Sequence, residues 1–285
     1  MKIAISGANG YIAKNLMWEL QADHHTIVTI KREILYDVDQ LTKLLSDIEV
    51  VINLAGAPIL QRWTENNKNE ILKSRIETTR NIVKAINGLP ENKKPGTFIS
   101  ASAIGIYAPD VVHTEESTSF SNDFVGEVVR KWEDASTDLS PNVRRVIFRI
   151  GLILGKEAKT MQKLLPVFKM GLGGKVGSGK QPFPFVHIYD VVNALIWGIQ
   201  NERAHGIYNL VAPDNIDNKT FTRVLANSLK RPAFFTVPGV SLKLIFGEAS
   251  SLLLQSPQVK PVRLINEGFV FLFPDIKSCI AEVIA

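Results

Sequence analysis

Near the start of the chain an apolar run, Lys2–Ser6, passes without a break into Gly7-Ala8-Asn9-Gly10-Tyr11-Ile12-Ala13 and then into an amphipathic segment. The spacing GxxGxxA, met in the order strand, loop, helix, commits this part of the chain to the opening unit of a doubly wound α/β sheet. Each small residue has a physical task. Gly7 makes the tight turn, Gly10 lets backbone approach a pyrophosphate, and Ala13 lets the helix pack closely on the strand. The helix N-terminus offers free N–H donors to an anion. The competing reading is a glycine-rich turn that binds nothing.

The rest of the first half repeats the alternation that such a sheet needs. Ile- and Val-rich runs at 26–30, 50–54, 97–102 and 143–149 predict buried parallel strands, and helical periodicity at 9–21, 40–46, 65–87 and 124–139 predicts the crossovers. The interval between the second strand and residue 50 is short. It has room for one small strand at 34–36 and one helix, so a crossover helix usual in such sheets is expected to be missing. After Gly155 the pattern changes to short strands, helices and a glycine-rich stretch at 171–184, with helices also predicted at 218–229 and 259–267. The fold expected is α/β, a Rossmann-type doubly wound parallel sheet. It spans 1–154 as the dinucleotide domain, with a smaller substrate-side region at 155–285 of which part of 185–211 returns to the sheet.

Composition bears on what such a fold could serve. The 285 residues are 45% hydrophobic and 21% charged, as in ordinary globular chains, and the only cysteine is Cys279, so internal disulfides and cysteine zinc sites are excluded and no metal is expected. No stretch approaches the ~18 apolar residues of a membrane span, and no basic leader with a cleavage site is visible; a cytoplasmic protein without a membrane partner is expected. The net charge of +5 comes without a basic run interleaved with aromatics, so nucleic acid is not an expected partner and an anionic small molecule is.

The second strand ends Thr29-Ile30-Lys31-Arg32, where an acid would be needed to hold a ribose 2′-hydroxyl. An acid repels a 2′-phosphate and two cations attract it. Arg32 can stack on adenine and fork to the phosphate while Lys31 adds a point charge, which favours NADP(H) over NAD(H). The alternative is a solvated basic turn.

Several longer stretches carry a family resemblance: SGANGYIA (6–13), VINLAGAPI (51–59), RWTENNKNEILKSRIETT (62–79), SASAIGIY (100–107), FVGEVVRKWE (124–133) and LLPVFKMGLGGKVGSGKQPFPFVHIYD (164–190). Over almost its whole length the chain resembles the extended short-chain dehydrogenase/reductase superfamily, and within it the epimerase family protein branch. The resemblance implies a cofactor cradle of Gly7, Asn9, Gly10, Tyr11, Ile12, Lys31 and Arg32. To these it adds Leu54 and Ala55 after the strand at 50–54, Glu70 and Arg75 on the following helix, and Ile153.

The same resemblance exposes a departure. Relatives carry Tyr-x-x-x-Lys on the helix after the strand at 97–102, the Lys lowering the phenol pKa for proton transfer. Aligning the acid that follows on Glu133 puts Val129 and Val125 at those two positions, and neither can move a proton. Lys131 lies roughly 200° around the helix from Val129 and does not replace it. Ser102 or Ser100 could polarise a substrate carbonyl or be a satisfied strand-end hydroxyl, and Tyr107 is the nearest phenol. Glu115 and Glu116 could close over substrate or be solvated. His187 with Asp190 could be an acid/base pair or could shape the cleft, while Lys175, Lys180 and Gln181 sit in a stretch with the composition of a mobile anion-binding flap. Three functions remain open: an NADP(H)-dependent oxidoreductase on a small carbonyl or sugar-like substrate, an NADP(H) redox sensor or pseudoenzyme working through a protein partner, and a nucleotide-sugar epimerase. Lys31, Arg32 and the two valines disfavour the third.

Overall fold

The computed structural model describes residues 1–109 and 111–285. In chain order the elements are β1 (Lys2–Ser6), α1 (Tyr11–Ala22), β2 (Thr26–Ile30), α2 (Val38–Leu45), β3 (Val50–Asn53), α3 (Glu65–Asn87), β4 (Thr97–Ala103), β5 (Val112–His113), α4 (Phe124–Asp134), β6 (Arg144–Ile150), β7 (Leu152–Leu154), α5 (Lys159–Lys169), β8 (Gly174–Val176), β9 (Phe185–His187), α6 (Ile188–Gln200), β10 (Gly206–Leu210), α7 (Asn218–Ser228), β11 (Phe235–Val237), α8 (Gly239–Phe246), α9 (Ser251–Leu254), β12 (Gln258–Val259), α10 (Val262–Asn266) and α11 (Ile276–Ile284). Six strands form one parallel sheet in the order β10-β6-β4-β3-β1-β2.

Period-2 alternation divides the apolar side chains between two cores. Ile3, Ile5, Val50, Ile52 and Ile99 face α1 and α6, while Ala4, Val51 and Phe98 face α2 and α3. Helix starts follow the local chemistry: Asp37, Thr64, Asp123, Asp217 and Asp275 cap α2, α3, α4, α7 and α11 by accepting a first-turn N–H.

Residues 34–36 form a turn of 3-10 helix and not the small strand expected from the sequence. Leu35 buries its side chain in the core under α3, and its N–H bonds back to the Lys31 carbonyl at 3.3 Å, so no extended backbone is left to pair. The sheet therefore ends at β2, whose Thr26 and Thr29 face solvent. Helix α4 is also shorter than its apolar period suggests. It stops at Asp134, where the hydroxyls of Ser136 and Thr137 bond back to the Glu133 and Asp134 carbonyls. Pro261 breaks the segment predicted as one helix at 259–267 into β12 and α10.

Past β6 the chain builds a second core from α5, α7 and α11, with Phe183 stacked on Phe221 at 4.2 Å between centroids. Strand β10 returns to the main sheet beside β6. Two buried polar groups at the start of α6 tie this core to the C-terminal segment. Asp190 accepts the N–H groups of Leu272 (2.6 Å) and Phe273 (3.1 Å), and His187, fully buried, meets Glu282 of α11 through Nε2 at 2.6 Å. His187 Nδ1 accepts from the Tyr189 N–H at 3.3 Å, so the proton is on Nε2 and the ring is neutral.

Burial holds the His187 imidazole below its ordinary 6.5 despite the opposing pull of Glu282. Folded His187 thus takes its proton at lower pH than the unfolded chain does. Stability from this group is intact above about pH 6.5 and is lost as pH falls below it. His187→Gln keeps a donor to Glu282 and removes the titration. The slope of unfolding free energy between pH 7 and 5 should be shallower in the variant by up to about 1.4 kcal/mol per pH unit. Parallel slopes in urea unfolding would show that His187 does not titrate with folding.

Candidate functional site

The C-terminal ends of β1, β2 and β3 converge on the glycine turn. Gly7 has φ +68°, and a Cβ there would stand 2.6 Å from the Leu54 carbonyl oxygen, so two strand ends approach at a distance only glycine permits. The Ser6 hydroxyl donates to Asn53 Oδ1 (2.6 Å) and accepts the N–H groups of Leu54 (3.0 Å) and Ala55 (3.2 Å), which fixes one loop on the other. Asn53 in turn donates to Thr79 on α3.

Helix α1 begins differently from its capped neighbours. Gly10 is its N-cap, no side chain caps it, no acid lies in its first turn, and the first helical bond runs from Lys14 to Gly10 at 3.0 Å. The N–H groups of Tyr11, Ile12 and Ala13 have no protein acceptor, the arrangement a phosphate needs. Ala13 is buried against the sheet, while Asn9 and Gly10 are exposed.

Lys31 and Arg32 follow β2 in the open. Arg32 pairs with Glu70 at 3.1 Å, their side chains 71% and 48% exposed, so screening leaves the pair weak enough for an anionic ligand to displace. Arg75 lies deeper, under the loop after β3. Its guanidinium donates to the Ala57 carbonyl (2.9 Å), covers the Trp132 ring at 5.3 Å and has no carboxylate partner among the described residues; burial pushes its pKa down to about 10. An unpaired, half-desolvated cation at this depth fits a ligand phosphate or ribose. Ile153 of β7 lies in register with Val186 of β9 beyond the end of β6.

Two of the candidate catalytic residues, Ser102 and Tyr107, belong to one buried polar chain. Ser102 donates to Glu133 Oε1 at 2.5 Å, and Arg149 binds both Glu133 oxygens at 2.8 and 2.7 Å. Arg149 also donates to the Tyr107 hydroxyl (2.8 Å), which donates to Asn209 (2.8 Å) on β10. Burial alone would push the Arg149 guanidinium down, and the Glu133 carboxylate more than reverses it. Burial raises the Tyr107 phenol against the influence of Arg149, and its ring stacks on His113 at 4.6 Å. Tyr107 is 2% exposed with its hydroxyl fully used, which corrects the expectation of a phenol available to substrate. The Ser100 hydroxyl donates back to the Ala101 carbonyl (3.0 Å).

Val125 and Val129 on α4 are buried with Ile104, Ile106 and Tyr107, and a Cβ at Gly105 would meet Val125 at 2.6 Å. His187 faces α11 and not a cleft, because its ring nitrogens are satisfied by Glu282 and Tyr189. The glycine-rich stretch is ordered and not a free flap: β8 pairs with β11, Val176 N–H bonds to Asn218, and Gln181 donates to the Val176 and Leu253 carbonyls. Lys175 is half-buried and donates to the Ser178 carbonyl at 3.3 Å. Glu115 is half-buried, accepts the Asn209 N–H at 3.0 Å and has its carboxyl raised by burial. Sequence reasoning missed Glu133 as the partner of Ser102 and Arg149 as the partner of Glu133. The one available sign was a single arginine, Arg149, within the apolar run Val146–Ile150 of β6. Among the described residues no cluster of His, Cys, Asp and Glu could hold a metal, and no helix is long and apolar enough to cross a membrane.

A parallel sheet with a glycine turn under an uncapped first helix defines the Rossmann dinucleotide-binding class. The comparisons narrow this. The NAD dependent epimerase/dehydratase family matches residues 3–210, and a domain of unknown function, DUF1731, matches 237–283. The chain is 33% identical to the bovine epimerase family protein SDR39U1, with all of both chains covered. It is 30% identical to a chloroplastic homologue from Arabidopsis thaliana, covering 99% of this chain and 86% of that one. The crystal structure of the human SDR39U1 protein with NADPH superposes with a TM-score of 0.93 at 31% identity, covering 99% of each chain. The chain belongs to the NAD dependent epimerase/dehydratase family of extended short-chain dehydrogenases/reductases.

Glu133→Ala would strand the Arg149 charge beneath the cleft. We expect a loss of about 3–5 kcal/mol of unfolding free energy, partly recovered by adding Arg149→Met. Urea midpoints of the two variants check this; a single variant as stable as the unmodified chain would show that the pair is not structural.

Proposed function

We propose that this chain binds NADP(H) and acts as an oxidoreductase on a small carbonyl or sugar-like substrate, with proton transfer that does not use Tyr-x-x-x-Lys. The observation carrying the cofactor half is the set of unpartnered N–H groups at the start of α1, with Lys31 and Arg32 at the end of the neighbouring strand β2. The human relative's NADPH supports it. Gly7, Gly10 and the first turn of α1 would hold the pyrophosphate, Lys31 and Arg32 the 2′-phosphate, and Arg75 with Glu70 a phosphate or ribose. Bound there, the nicotinamide supplies or takes up a hydride. Ser102 orients only through the Glu133 carboxylate that already holds its proton, so it could donate to a carbonyl only by turning away from that oxygen.

A second reading, a sensor of NADP(H) acting through a protein partner, is favoured by one observation: Val125 and Val129, which the resemblance sets against Tyr and Lys, pack in an apolar core. Kinetics separates the two readings. Relative to members that keep Tyr and Lys, turnover of carbonyls and nucleotide sugars at saturating NADPH should be slower by about 10²- to 10⁴-fold. Ser102→Ala should abolish what remains if that hydroxyl polarises substrate. Fast turnover insensitive to Ser102→Ala would place the acid elsewhere.

The cofactor assignment has its own test. Replacing Lys31 and Arg32 with uncharged residues should weaken NADPH binding by about 1–3 kcal/mol and leave NADH little changed. Gly10→Asp should abolish both without unfolding the chain, because its carboxylate occupies the anion's place. Equal losses for the two cofactors in the double variant would remove the 2′-phosphate from this corner.

A further inference from the structure

Charge in this chain is unevenly distributed. Segments 158–181 and 218–247 contain ten Lys and Arg and no Asp or Glu, so all 28 acids of the chain lie outside them. The first segment holds five lysines; the second holds Lys219, Arg223, Lys230, Arg231 and Lys243. The fold brings them into one lobe. Strand β8 pairs with β11, setting Gly174 opposite Phe235, and the Lys219 N–H bonds to the Gly179 carbonyl at 2.9 Å. A Cβ on Gly171 would come within 3.5 Å of Pro232. No member of the ten is in a salt bridge among the described residues, and all but the half-buried Lys175 are exposed.

The same lobe carries large apolar side chains in water. Met170 and Leu172 follow α5, Phe234 and Phe235 sit at the start of β11, and Leu244 and Ile245 lie on α8. Phe234 is 89% exposed and Leu244 74%, so neither contributes to the core. Lys169 precedes Met170, Lys230 and Arg231 precede the phenylalanines, and Lys243 precedes Leu244.

We propose that this lobe docks on an anionic phospholipid surface, with Phe234, Phe235, Leu244 and Ile245 entering the headgroup and acyl boundary and the cations facing the phosphates. Apolar side chains with interleaved Lys and Arg fit that interface, because the cationic stems can lie along apolar surface while their heads reach phosphate; Glu248, exposed just past α8, is paired with Lys68. A nucleic acid would use the cations and leave Leu244 and Ile245 without a partner. A second copy joined face to face would set ten cations against ten. The absence of a spanning helix, on which the expectation of no membrane partner rested, does not oppose docking in the interface plane.

The test is co-sedimentation of the full chain with phosphatidylcholine vesicles, with and without about one third phosphatidylserine. Binding is expected only with phosphatidylserine and is lost at about 0.5 M salt. Lys230→Glu with Arg231→Glu should weaken it at least about tenfold. Phe234→Ser with Leu244→Ser should weaken it by a similar factor, while NADPH affinity and melting temperature stay unchanged in both variants. The proposal is overturned by no sedimentation, by equal binding to neutral vesicles, or by binding that ignores Phe234→Ser with Leu244→Ser. Duplex DNA bound in preference to vesicles would assign the lobe to nucleic acid instead.

Discussion

The cleft rests on one desolvated ion pair. Arg149 and Glu133 meet in two hydrogen bonds with side chains 3% and 10% exposed, and through Ser102, Tyr107 and Asn209 the pair joins β4, α4, β6 and β10. A buried pair is weak evidence of net stabilisation, because the cost of removing two charges from water is close to what their attraction returns. Its effect is specificity. With both charges in place, only one register of α4 on the sheet leaves neither stranded. That register puts Val125 and Val129 against Ile104 and Ile106.

Chemistry and cofactor binding are consequently built from different materials. The nucleotide end uses backbone: a φ available to glycine, three N–H groups without acceptors, and two loops locked by the Ser6 hydroxyl. Around that backbone Arg32 and Arg75 add cations, the first paired with Glu70 and the second held on the Ala57 carbonyl. The chemical end uses side chains that are already committed to each other. The Tyr107 hydroxyl donates a hydrogen bond to Asn209 and accepts one from Arg149, and the Ser102 hydroxyl donates one to the Glu133 carboxylate. Activating either would require breaking a charge-assisted bond in a low-dielectric site, where such bonds are strongest.

What could be read from sequence follows the same division. Gly7, Gly10 and Ala13 act through local backbone geometry, and local geometry is written in consecutive residues; the strands of the sheet are likewise continuous apolar runs. Residues 34–36 misled because Ile-Leu-Tyr has strand composition, whereas a long-range contact, Leu35 under α3, decided its conformation. His187 and Tyr107 were left with two readings each for a related reason. A sequence shows that an imidazole or phenol is present, but its hydrogen-bond partners come from Glu282, 95 residues away, and Asn209, 102 residues away. Glu133 was visible only as the acid that fixed an alignment, since its partner Arg149 lies on another strand.

The segregation of charge adds a constraint that neither end supplies. The two segments carry ten cations and no acid, with Glu157, Asp217 and Glu248 just outside them, and repulsion among like charges destabilises a compact state unless neighbouring acids, counter-ions or a partner offset it. Here the cations lie on α5, β8, α7 and α8 and in the turns beside β8 and β11, all but Lys175 exposed, and beneath them is an apolar core with Phe183 on Phe221 and α11 packed below. Charge is thus confined to the outer layer, where water screens it, and no buried group depends on it. The core beneath the lobe reaches the nucleotide end, because Tyr11 at the start of α1 packs against it.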